Sequence, residues 1–366
     1  MSQYSNARLA TLDAARGVAA LLVIIFHMRS YGHIKFETFA GTDFFSKGYL
    51  AVDFFFLLSG FVITMCYEDK LKSGKMSFGE FLALRGIRLY PLYLLGTLFG
   101  IISALWLNPE IIGNAYLLAL GLTGLPQIVP DAAVPPLYPF NGVAWSLGCE
   151  VLVNIVWAIA LIRLPMRYVG LVFIVSSIAM VKFGSDFGSL MFGSFTQDLP
   201  GAVARVFVSF TLGQMLFHAM RQSWFPKFNM SSAAVLAILA LSLLAPVSAL
   251  GLSYDFSFVF LFAPLLVAMG AQVEPSAALH GLCHQLGRLS YALYVVHLPC
   301  LKFVNWMWSA VIGVPIADTP LLGISVALGF ILLVAHFATA LFDEPVRAAL
   351  NQWFKARKPS SMPKLA

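Results

Sequence analysis

Charge is scarce in this chain. Of its 366 residues only 11% are Asp, Glu, Lys or Arg, against about 25% in water-soluble domains. That shortage excludes an ordinary soluble globular domain. Cysteine is sparse as well. Cys66, Cys149, Cys283 and Cys300 are the only four and have no CxxC spacing, so they give no disulfide framework and no redox compartment. The sequence also lacks the residue alternation of a membrane barrel, an internal repeat, a second domain and a long linker. The first apolar run ends in "HMRS", with charge inside it and no small-x-small site, so it does not read as a cleaved signal peptide.

Apolar residues fill the space that charge leaves. They make up 60% of the chain, and the mean hydropathy is +0.84. Apolar runs recur from end to end, many near the ~20 residues that a spanning helix needs. The fold class read from this is an all-α polytopic membrane protein. About ten spans are expected, over 9–29, 48–67, 90–107, 144–162, 168–183, 199–218, 231–250, 253–272, 288–309 and 319–342. A further apolar stretch, "IIGNAYLLALGLTGLP", is short and glycine-broken and precedes the proline-rich "PQIVPDAAVPPLYPFNG". It is expected to form a short re-entrant or interfacial helix followed by an outer loop.

The net charge of +6 sits in Lys and Arg scattered between the runs, as orientation signals would be, and does not argue for nucleic acid. With the N-terminus in the cytoplasm, the basic clusters around Lys70–Lys75, Arg85 and Arg88, Arg163 and Arg167, Arg221 and Lys227, and Lys355–Lys358 fall inside. Few fall outside. This bias favours ten crossings with both termini cytoplasmic. Residues 346–366 are expected to be a basic tail, with "FKARKPSSMPKLA" disordered.

Ionisable groups at membrane depth are costly and mark a packed interior or a wet cavity. Asp13, Arg16 and His27 lie on the first span. Arg16 and His27 are eleven residues apart, which places them on one helix face about 16 Å apart along the axis. Asp53 in the second span and Glu150 in the fourth are expected near the depth of His27, where a carboxylate would fix an imidazole's tautomer and raise its basicity. Asn154, four residues beyond Glu150, shares its face. Arg85 and Arg88, at i,i+3 near the inner mouth of the third span, make a fork for phosphate oxygens. A plainer reading of each remains open: a snorkelling Arg16, an interhelical hydrogen-bond network, a positive-inside pair of arginines. His297 lies mid-span, and either lines a channel or satisfies a neighbouring helix. His336 reads as structural. His280, Cys283 and His284 lack a fourth partner, so no metal is expected.

Taken in order, Arg-x10-His on the first span, "VDFFFLLSGFVIT", "RGIRLYP", "WSLGCE" and "LSYALYVVHLP" resemble acyltransferase family 3, integral-membrane enzymes that O-acylate bacterial surface carbohydrates. The resemblance runs over nearly the whole chain. It implies a membrane acyltransferase domain over residues 1–345, in a bacterial inner membrane. It implies acyl-CoA, acetyl-CoA foremost, as the cytoplasmic donor, and as acceptor a hydroxyl of an exopolysaccharide or lipid-linked sugar at the outer face. Carried over, the essential Arg and His fall on Arg16 and His27, the Arg pair on Arg85 and Arg88, the Glu on Glu150, and Ser-Gly-Phe on Ser59, Gly60 and Phe61. Leu84 stands where the family often has a further basic residue, which thins the phosphate grip. The short chain resembles the single-domain members. On this reading His27, Glu150 and Asp53 form the catalytic set. Arg16, Arg85 and Arg88 hold acyl-CoA, and Trp145, Asn154 and His297 contact the acceptor. The alternative is a polytopic transporter or carrier of a sugar-containing substrate without acyl transfer. Buried charges and a broken short helix suit it, but the lack of an inverted repeat counts against it.

Overall fold

A computed structural model describes residues 9–30, 44–128, 135–314 and 316–357. The described residues are helical and contain no strand; Pro136 and Phe195 form an isolated bridge. The helices in chain order are α1 (Ala10–Ser30), α2 (Ala51–Lys72), α3 (Phe78–Leu107), α4 (Ala115–Thr123), α5 (Ala144–Ile159), α6 (Met166–Phe187), α7 (Leu199–Arg221), α8 (Ser232–Leu244), α9 (Gly251–Ser257), α10 (Ala263–Gly270), α11 (Ala277–Ile312), α12 (Pro320–Phe337) and α13 (Glu344–Ala356). A π-helical turn, Phe258–Phe262, joins α9 to α10, and another, Ala338–Asp343, joins α12 to α13. Among the described residues nine helical stretches are long and apolar enough to cross a membrane, and α8 is a shorter apolar helix. Counted with α8, they match the ten expected spans one for one.

Two helices reach further than hydropathy suggests. α3 begins at Phe78, twelve residues before the expected start at 90. The cause is a capping box, in which Ser77 Oγ accepts from the Glu80 amide at 3.1 Å and Glu80 Oε2 from the Ser77 amide at 2.7 Å. Arg85 and Arg88 therefore lie two to three turns inside a helix rather than at its mouth. α11 runs for 36 residues with Pro299 inside it. Proline has no N–H for the carbonyl four residues back. That carbonyl, on Val295, instead accepts the Asn141 side-chain amide at 3.0 Å. The chain beyond 346 continues as helix α13 to Ala356; residues 358–366 of the expected tail lie outside the described residues.

α4 is the expected short element, nine residues long. Its last carbonyls have no partners within the helix. The phenols of Tyr93 and Tyr90 donate to Gly121 and Leu122 at 2.6 and 2.8 Å and dock it against α3.

Close backbone approach holds the bundle together where a hydrophobic drive is weak. On α2 a Cβ at Gly60 would collide with the Phe210 carbonyl of α7, and on α7 one at Gly213 would collide with the Leu57 carbonyl of α2. The same two helices share a buried ion pair. Arg205 Nη2 and Nε donate to the two carboxylate oxygens of Asp53 at 2.6 and 3.2 Å, and each side chain is 1% exposed. A second buried pair, Lys47–Asp255 at 2.6 Å, lies at the end of the bundle where α1 finishes (the far face). Tyr49 and the Leu190 amide also donate to Asp255, at 2.7 and 3.0 Å. The near face is the end where α1 begins.

Candidate active site

Three motif segments meet on one carboxylate. Glu150 of α5 accepts on Oε1 from Ser59 of α2 at 2.9 Å and from Arg85 of α3 at 2.6 Å. They line a cleft of about 250 Å³ with Arg16, Arg88 and Tyr291. Arg88 lies over the Tyr291 ring, 5.6 Å from its centroid. Arg16 pairs with Asp13 one turn earlier, at 3.2 Å. The cleft extends towards the far face as far as Val52, Ser146 and Tyr294.

At the near face a polar vestibule of about 680 Å³ opens beside this cleft. Arg16, Arg88, Arg288 and Arg347 line it, with His280 and His284. Asp13, Arg16 and Arg88 border both spaces and form the throat between them. The carboxylates Asp343 and Glu344 pair here with Arg347 at 3.1 Å and Arg288 at 2.6 Å. Such a chamber offers guanidinium groups to an anion entering from the near face. Among the described residues no three His, Cys, Asp or Glu side chains gather closely enough to hold a metal.

The far end of the cleft adjoins a pair of imidazoles. Tyr294, hydrogen-bonded to Ser146 at 2.6 Å, has its ring 5.9 Å from that of His297. His297 is fully buried. Its Nδ1 faces the carbonyls of Tyr294 at 2.7 Å and Leu293 at 3.2 Å. Only a donor suits two carbonyls, so Nδ1 carries the proton and Nε2 the lone pair. His297 Nε2 lies 3.0 Å from His27 Nδ1, which also faces the Val23 carbonyl at 3.0 Å. His27 Nδ1 is therefore the protonated nitrogen, and its Nε2 carries the lone pair that a base requires.

The residues singled out from the sequence thus separate into distinct places. Arg16, Arg85, Arg88 and Glu150 share the cleft. His27 and His297 form the imidazole pair. The hydrogen bonds of Glu150 and Asp53 run to Arg85, Ser59 and Arg205, so neither carboxylate serves His27 in the expected way. Arg85 lies deeper than expected, level with Glu150, because α3 starts early and carries it into the bundle. Trp145 stacks on Arg205, 5.5 Å from ring centroid to guanidinium carbon. Asn154 is buried and lines a separate lateral cavity with Trp145. His336 is exposed on the bundle's outside. Arg205 and Asp255 were not singled out from the sequence, although both lie within expected spans, where a charge is costly. Arg347 escaped because it lies past the last apolar run.

The chain's residues 9–338 match the model of a family described as an acyltransferase domain. The chain belongs to that family, and is a membrane acyltransferase. It is 34% identical over 209 residues to "Protein 2 in picA locus" of Rhizobium radiobacter, covering 51% of this chain and all of that protein. It is 24% identical over 340 residues to "Acyltransferase MdmB" of Streptomyces mycarofaciens, covering 84% of this chain and 82% of that one. No solved structure matches.

Proposed function

We propose that the protein moves an acyl group, acetyl foremost, from acyl-CoA in the bacterial cytoplasm to a hydroxyl of a surface glycan: an exopolysaccharide or a lipid-linked sugar at the outer face of the inner membrane. The observation that carries this reading is the run of spaces from an arginine-lined vestibule, through the Arg16–Arg88 throat, to a tyrosine-walled cleft that ends beside the His27–His297 pair.

The chemistry follows from the size and charge of the donor. The nucleotide end of CoA is too polar to enter hydrocarbon, whereas its pantetheine arm is thin. Arginines at the near face hold the phosphates, and the arm extends through the throat towards the imidazoles. His27 Nε2 takes the proton of the acceptor hydroxyl as its oxygen attacks the thioester carbonyl. The tetrahedral adduct collapses, the carbon–sulfur bond breaks, and the departing thiolate takes the proton back from His27. Acyl ester and free CoA result, and His27 returns to its starting state. His297 keeps His27 in the tautomer that this step needs, and gains a stronger hydrogen bond when His27 is cationic.

Purified protein in detergent, given acetyl-CoA labelled in the acetyl group, should hydrolyse it slowly or transfer the label, and His27→Gln should do neither. A carrier without acyl-transfer chemistry would leave the label on CoA in both. Mass spectrometry of surface glycans from a deletion strain and its parent would identify the acceptor.

A further inference from the structure

A second space lies on the flank of the bundle, outside the proposed donor path. It is a cavity of about 650 Å³ walled by α3, α4, α5 and the start of α7, a volume typical of small-molecule sites. On α5 its lining runs from Ala144 to Ile155, about 16 Å along the axis. Its rim includes Tyr90, Leu125, Ile128, Val151 and Leu152, all exposed large hydrophobic side chains. In a membrane-spanning bundle such a rim faces lipid, so the cavity opens sideways into the bilayer.

The wall also contains polar atoms without an assigned task. Asn154 is 1% exposed, and neither Oδ1 nor Nδ2 of its amide has a protein partner. Arg85 Nε, on the same wall, is likewise buried and unpartnered. Buried polar groups without partners are rare and call for a ligand or water. Water would have to cross the apolar rim or the wall formed by Arg85 and Glu150. A plain hydrocarbon chain would fill the space but leave the amide unsatisfied. An amide offers both a donor and an acceptor, and a hydroxyl complements both.

We propose that this cavity binds a hydroxyl-bearing, single-chain amphiphile taken directly from the bilayer. Its polar group rests on the Asn154 amide and Arg85 Nε, and its chain leaves between Tyr90 and Leu152. The polar end then lies against the wall shared with the first cleft, since Arg85, Leu89, Leu147 and Tyr291 line both spaces. Binding of this kind is independent of the acyl-CoA reading and holds whether or not acetyl-CoA is the donor.

The test uses the full chain in phosphatidylcholine nanodiscs with a photoactivatable analogue of dodecanol carrying a mid-chain diazirine, and the matching alkane without the hydroxyl. Cross-linked peptides are mapped by mass spectrometry. The alcohol should label the cavity segments of α3 and α5, and excess unlabelled dodecanol should compete. Asn154→Leu should cut the competed labelling roughly fivefold, as expected for loss of one or two hydrogen bonds, and leave labelling by the alkane unchanged. Leu152→Trp, at the exposed rim, should block both probes without affecting the fold. Labelling spread over the whole lipid-facing surface, or unaffected by competitor and by both variants, would mean bulk-lipid contact only and overturn the proposal. Equal loss of alcohol and alkane labelling in Asn154→Leu would overturn the polar recognition. Loss of acetyl transfer has no part in either readout, so failure here is separable from failure of the proposed reaction.

Discussion

His297 Nε2 lies 3.0 Å from Nδ1 of His27, across the interface of α11 and α1, and the carbonyls of Leu293, Tyr294 and Val23 fix which of the four ring nitrogens carry protons. Removing the proposed base, His27, and removing its proposed orienter, His297, should therefore differ in kind. His27→Ala and His27→Gln should lower transfer by about 10²–10⁴-fold, the usual contribution of a general base, with normal expression and insertion. His297→Ala should cost roughly five- to a hundredfold, the range of a lost buried hydrogen bond, and shift the acid limb of the pH–rate profile. His297→Gln, whose side-chain oxygen can accept from His27, should recover part of the loss. Activity above a few per cent in either His27 variant would sink the base assignment.

Arg85 and Arg88 share a helix but should respond differently. Arg88→Ala should act on the donor, raising its KM about ten- to a hundredfold with little change in kcat, as loss of one charge-assisted contact implies. Arg85→Ala strands Glu150, whose side chain is only 19% exposed. It should destabilise the protein by about 1–3 kcal/mol, and Glu150→Gln in the same chain should restore part of that. Melting in detergent and donor kinetics on the three variants separate the two roles. If Arg88→Ala changes only yield or topology, its charge serves orientation alone.

The Asp53–Arg205 pair is a matter of stability. Each residue is 1% exposed, so either single truncation leaves a buried charge uncompensated and should cost about 3–5 kcal/mol. Replacing both by apolar residues of similar volume, Asp53→Leu with Arg205→Met, should be much milder than either single change. Thermal unfolding in detergent gives the answer. Full stability with lost turnover in Asp53→Asn would return Asp53 to the catalytic set.

Sidedness can be tested with single cysteines in a chain whose four native cysteines have been replaced. Ser73 and Gln197 are both exposed, at the near and far faces. A membrane-impermeant thiol reagent should label Gln197→Cys and spare Ser73→Cys in intact cells, and do the reverse in sealed inside-out vesicles. Labelling of both from one side would remove the proposed cytoplasmic placing of the vestibule and, with it, the proposed donor path.

The spans were legible because hydropathy acts locally: α1, α2, α5 and α7 start within a few residues of where apolar content alone puts them. The amphipathic first turns of α3 were not, because a capping box extends a helix through residues that composition reads as loop. That misplacement carried Arg85 to the membrane surface in the sequence reading and split it from Glu150, its actual partner. Arg16, His27, His297 and Asn154 stood out because a polar side chain in hydrocarbon needs a reason. Their partners did not stand out. Pairing depends on which helices touch, and spacing along one chain does not contain that information. Asp53 was flagged for the right cost, but its compensating charge lies 152 residues away on α7.

In the proposed inner-membrane setting, the vestibule and cleft together hollow out part of a path through a barrier that must hold an electrical potential. Each elementary charge that crosses 100 mV releases about 2.3 kcal/mol, so an unguarded wet passage would short-circuit the cell. Arg16 and Arg88 border both spaces, with Asp13 paired to Arg16, and leave a net positive charge between them. Fixed positive charge at a constriction raises the barrier to protons and sodium, as it does in water channels, and favours an anionic guest. On the proposed reading, the same two guanidinium groups that would admit CoA would also insulate the passage when it is empty.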